Sequence, residues 1–98
     1  MTTNYEMMCL LAQRLKEYRL AARISQAEMA ERSGVGLTTI AHFEQGKQVN
    51  ITMSNFISLL KVLGLENRVE QILPELPMTP LALKHINKLI PKRARKKS

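Results

Sequence analysis

The stretch SQAEMAERSGVGLTTIAHFEQGK, residues 25–47, decides how this chain is read. It is rich in small and polar residues, yet Met29, Ala30, Val35, Ile40 and Phe43 recur at regular spacing. Ser25-Gln26-Ala27-Glu28 has the form of a capping box, in which hydroxyl and carboxylate satisfy free amides at a helix start. The helix it opens is short and ends near Ser33, because Gly34 suits the left-handed backbone that terminates helices. A second short helix is predicted over roughly residues 37–45, stopping at Gly46. Two such helices joined by so tight a turn approach closely only over a small residue, which is the place of Ala30. Val35, Ile40 and Phe43 then pin the second helix to a core. Leu37, Thr38, Thr39 and His42 fall between those positions and face outward.

Working outward, no segment alternates like a strand, and most repeat at three and four residues, so the chain reads as all-α. Thr3-Asn4-Tyr5-Glu6 is another capping box, starting a helix to about Ala22 with Met8, Leu11, Leu15, Tyr18 and Ala22 inward. Thr52 caps a fourth helix with Met53, Phe56, Ile57, Leu60 and Leu63 inward, closed by Gly64. A fifth, over residues 66–73, turns Val69, Ile72 and Leu73 inward. Pro74, Pro77 and Pro80 then break the chain into an extended linker. Thr79-Pro80 has the form of a cap followed by proline at the first helical position, opening a short helix over 80–90 that Pro91 ends. Beyond it only Lys, Arg, Ala and Ser remain, and disorder is expected. The expected architecture is a five-helix domain over residues 1–73, then a Pro-interrupted basic segment over 74–98.

The length, 98 residues, fits one small domain. Its net charge of +7 is unevenly placed. Residues 1–80 hold eight bases and all eight acids, so the surplus lies in Lys84, Lys88, Lys92, Arg93, Arg95, Lys96 and Lys97. A neutral domain with a cationic arm suits phosphate, a membrane surface or an acidic protein face. Seven cations without an anion favour nucleic acid over a merely solubilising tail. No apolar run approaches the roughly 20 residues that cross a bilayer. The N-terminus lacks the basic-then-apolar pattern of a secretion signal. The single Cys9 has no internal disulfide partner and sits among Met7, Met8, Leu10 and Leu11, so a reduced, cytoplasmic setting is expected. Catalysis is not expected. The chain has no aspartate, and His42 and His85 lie on different predicted elements. No phosphate loop, carboxylate pair or metal-ligand cluster is seen, so no cofactor or metal is expected.

Two short helices, a turn glycine, a small residue and matched apolar positions make a helix-turn-helix over residues 26–45, whose second helix enters the DNA major groove. A helical hairpin that packs on another protein is the competing reading. The stretch resembles the lambda-repressor-like, XRE-type DNA-binding domains over residues 11–65. Ser25-Gln26, Met29-Ala30, Gly34-Val35, Ile40, Phe43-Glu44 and Gly46-Lys47 carry the resemblance. Relatives usually have Ser or Thr where this chain has Gly36, which caps weakly and offers no hydroxyl. The resemblance implies that Gln26 contacts backbone phosphate, beside the free amides of that helix start. It implies that Leu37, Thr38, Thr39 and His42 face the groove, with Leu37 on a thymine methyl and His42 on guanine or phosphate. His42 reads equally well as a plain surface histidine. Lys47, and more weakly Arg23, would grip phosphate. Arg19 and Glu44 occupy positions that form an ion pair in relatives.

Downstream, Leu73-Pro74-Glu75-Leu76-Pro77-Met78-Thr79-Pro80-Leu81-Ala82-Leu83 and the basic end resemble HipB-type antitoxins. Those repress their own operon and bind a HipA-like serine/threonine kinase toxin. The resemblance implies a repressor of double-stranded DNA that is nucleoid-associated when bound, with a kinase partner. A stand-alone or prophage XRE-type regulator is the alternative, and a nonspecific nucleic-acid-coating protein a third. One small domain reads few base pairs, so a homodimer on paired half-sites is expected. Leu65, Val69, Ile72 and Leu73 are the interface candidates; otherwise they complete the monomer core.

Overall fold

The computed structural model describes residues 2–76 and 80–89. These residues form helices α1 (Asn4–Ala21), α2 (Gln26–Ser33), α3 (Leu37–Glu44), α4 (Met53–Val62), α5 (Glu66–Ile72) and α6 (Pro80–Leu89), with no strand among them. The all-α reading stands; the described helices number six, with α6 in the segment following the prolines. Thr79 and residues 90–98, expected to cap α6 and to form the disordered end, lie outside the described residues.

The starts of α1, α2 and α4 follow from their caps. Thr3 and Glu6 form the full capping box, at 3.0 Å to the Glu6 amide and 2.9 Å back from the Thr3 amide. Ser25 accepts from the Glu28 amide at 3.0 Å, but Glu28 does not return the bond. Its carboxylate instead accepts from Arg32, one turn along α2, at 3.3 Å, so the expected second box is half a box. Thr52 accepts from the Asn55 amide at 3.1 Å. Gly36 leads α3 without any side-chain cap.

The ends of α1, α3 and α4 share a geometry. Beyond α4, the Gly64 and Leu65 amides donate back to the Lys61 and Leu60 carbonyls; beyond α3, those of Gly46 and Lys47 donate to Phe43 and His42. These paired bonds are the Schellman motif, which places its first non-helical residue in the left-handed region. Gly64 (φ 72°) and Gly46 (φ 77°) accept this freely. Beyond α1 the same pair of bonds forms at Arg23 and Ile24, and there the left-handed position is Arg23, at φ 60°.

The core is small and central. Ala12 and Leu15 of α1, Ile24, Met29 of α2, Val35, Ile40 and Phe43 of α3, Val49 and Leu59 of α4 are buried. Phe43 meets Phe56 edge-to-face, with ring centroids 6.0 Å apart, an arrangement aromatic quadrupoles favour. Packing runs α1 on α3, α3 on α2, α2 on α4 and α4 on α5. Three expected inward faces are displaced. On α1, Tyr18 and Ala22 are exposed and the buried line runs through Ala12, Leu15 and Arg19. It turns that way because Arg19 has a buried acid to meet. On α4, Phe56, Leu60 and Leu63 pack against the core as expected, but Met53 is exposed and Leu59 is the fully buried residue. On α5, Val69 is half-buried but Ile72 and Leu73 are exposed. A seven-residue helix resting on α4 leaves its far end uncovered.

Candidate nucleic-acid interface

The site rests on a buried charge network. Arg19 donates from Nε and Nη2 to the two Glu44 oxygens, both at 2.8 Å, and from Nη1 to the Ile24 carbonyl at 2.7 Å. Gln26 donates from Nε2 to the same carboxylate at 3.0 Å. The end of α1, the start of α2 and the end of α3 are thus tied at one point. Burying charge is costly unless every partner is supplied. Here it is, since among the described residues no buried side-chain nitrogen or oxygen lacks a partner. Burial pushes the Glu44 carboxyl up, but hydrogen bonds from Arg19 and Gln26, with the Arg19 and Lys16 charges, hold it below the ordinary carboxylate range. The hydrogen bond to Glu44 raises the Arg19 guanidinium against the opposing effect of burial.

On this base α3 presents two faces. Ile40 and Phe43 are fully buried and Glu44 nearly so, while Leu37, Thr38, Thr39 and His42 are all exposed. Gln45, three residues past His42, is exposed as well and extends the same outer line. Helical spacing from Thr38 through His42 would have found it. Gly34 (φ 79°) makes the turn before α3, its amide donating to the Ala30 carbonyl at 2.9 Å, and Ala30 packs against the core. Just past α3, the Lys47 and Gln48 amides both donate to the His42 carbonyl. That fold-back holds the Lys47 backbone against the end of the exposed face, and its side chain is exposed.

The remaining candidates lie at the α1–α2 junction. Arg23 is exposed on its left-handed backbone. Gln26 is half-buried at the start of α2. A glutamine amide has two hydrogens. Glu44 takes one, and the second lies outside that network. The bond from Gln26 to Glu44 had no signal in the local sequence, because the two residues are 18 apart.

The family model for helix-turn-helix domains matches residues 15–66, just over half of the chain. The chain belongs to that family, and this makes it a DNA-binding protein of the transcription-regulator kind. No curated protein matches it. Among the described residues, no helix is long and apolar enough to cross a membrane.

Proposed function

We propose that this chain is a sequence-specific repressor that binds double-stranded DNA as a homodimer on paired half-sites. We infer further that it is the antitoxin and autorepressor of an operon encoding a HipA-like kinase. The observation that carries the first part is the α3 outer face: Leu37, Thr38, Thr39 and His42 stand exposed on a helix whose other side is buried and charge-locked. Those side chains match what groove edges offer, with a methyl for Leu37 and donors and acceptors for Thr38 and His42. Lys47, Arg23 and the remaining Gln26 hydrogen serve phosphate, which positions without reading sequence. The role is binding rather than catalysis, in keeping with a chain that has no aspartate and carries His42 and His85 on separate helices. Such a protein works in the cytoplasm, on the nucleoid when bound.

The antitoxin part rests on the likeness of residues 73–83 and the basic end to HipB-type proteins. It is supported by α6, which exposes Leu81 and Leu89 beside Lys84 and Lys88, a surface suited to a partner. Gel shifts with the promoter upstream of its own gene, with and without the co-expressed neighbouring product, test the reading. Specific retardation that the neighbour strengthens is expected. Deleting residues 91–98 separates the two roles of the cationic end. If the end lies along DNA, the slope of log affinity against log salt flattens by about 0.9 per phosphate released. If it serves the kinase, the slope stays and co-purification is lost. Specific retardation with no captured neighbour leaves the stand-alone regulator; equal binding to every sequence contradicts the repressor.

A further inference from the structure

We propose that a second copy of this chain seats its residues 73–76 in the apolar groove between α1, α4 and α5, so that two grooves and two segments pair across a two-fold axis. The inference rests on reading the protein as a dimer and specifies how the copies meet. The groove encloses about 300 Å³. Leu11 of α1, Leu60 of α4 and Ile72 of α5 are among its apolar walls; Arg14 and Arg68 line it, no acid does, and Glu17 lies in the neighbouring cleft that Arg14 also borders. Neither arginine is in an ion pair among the described residues.

At the end of α5 and just past it the same chain carries the opposite surface. Leu73 is 87% exposed and Leu76 48% exposed. Glu70 and Glu75 share a shallow cleft with Leu73 and Pro74. Leu73 is extended (φ −139°, ψ 82°), as the residue before a proline tends to be. Proline stiffness keeps the segment from collapsing and lowers the entropy lost on docking. One copy therefore holds a cationic apolar groove and, next to it, an anionic apolar segment. A two-fold interface requires this self-complementarity, because what the first copy presents to the second must also be received from it. The charges decide between occupants. The exposed Lys84 and Lys88 of α6 would bring like charge to Arg14 and Arg68, whereas Glu70 and Glu75 bring the opposite.

Charge reversal tests this with two chains. The first carries Arg14→Glu and Arg68→Glu; the second carries Glu70→Arg and Glu75→Arg. Sedimentation without DNA should show each alone dissociating more than tenfold more readily than wild type, since like charges face each other. Mixed, they should form heterodimers, because each groove then meets a segment of opposite charge. Circular dichroism checks that both chains fold. Leu73→Ala with Leu76→Ala, at exposed positions that support no core, should weaken the wild-type dimer with helicity retained. Two variants that each self-associate like wild type, or a mixture that stays monomeric, would overturn the assignment. A monomeric wild type that still binds a half-site overturns it and leaves the DNA-binding reading intact. A dimer that obeys the charge rule but binds no operator supports this interface and refutes that reading instead.

Discussion

Arg23 sits in a left-handed conformation that costs a side-chain-bearing residue about 1–2 kcal/mol. The corresponding positions after α3 and α4 are glycines, Gly46 and Gly64. Strain retained at one of three equivalent ends points to a use for the side chain, and an exposed cation beside the start of α2 fits phosphate. Arg23→Gly is therefore expected to raise stability by up to about 1 kcal/mol in urea unfolding and to lower DNA affinity at low salt. A variant that loses stability, or binds DNA as before, contradicts this account. Glu44 is the opposite kind of residue. Glu44→Ala strands the Arg19 charge and should cost about 3–5 kcal/mol, a large share of the roughly 5–15 that a domain has. Because the folded Glu44 carboxyl lies below its ordinary range, its contribution is present above that range and lost as pH falls through the depressed value. Thermal melting from pH 7 downward should show wild type losing stability in acid, and Glu44→Gln losing less over the same interval. Hydrophobic spacing could not reveal this pair, since it admits no arginine to a buried face and selected Tyr18 instead. Only the resemblance to relatives brought Arg19 and Glu44 together.

The short helices succeed through their ends. α2 and α3 have eight residues each, too few to persist alone in water, so caps and core contacts hold them. α3 is the exception at its start, where Gly36 leaves the first turn without a side-chain acceptor. Its backbone (φ −59°, ψ 142°) suits any residue, and an added Cβ would meet only the Thr39 hydroxyl, at an ordinary 3.7 Å. Gly36→Ser should accept from the Thr39 amide as Ser25 does from Glu28. A gain of a few tenths to about 1 kcal/mol is expected in urea unfolding; no gain would mean the first turn is already satisfied. At this scale the sequence was most legible where signals are local. Thr3, Ser25, Thr52 and Gly34 each mark an end through atoms within four residues. Faces were less legible because they depend on what lies opposite. Leu59 was missed on α4 because the face turned toward α2 is not encoded in α4 alone.

Across the whole molecule, the network at Glu44 and the core at Ile40 and Phe43 fix one thing, the outward presentation of α3. The central claim is that this face reads bases while Lys47 beside it grips phosphate. The turn and the alternation of buried and exposed positions made the outward presentation of α3 legible in residues 25–47. The uncovered end of α5 was legible only as one of two readings, because Ile72 and Leu73 have the spacing of core residues and served equally as interface candidates; the packing shows them bare. The most direct test is a titration of wild type, Thr38→Ala and Lys47→Ala against the cognate operator and a random duplex at several salt concentrations. Thr38→Ala should lose about 1–3 kcal/mol on the operator and almost nothing on the random duplex. Lys47→Ala should weaken both alike and reduce the salt slope by about one unit. If both variants instead lose the same affinity on both duplexes, α3 does not read sequence through Thr38, and the account fails at its centre.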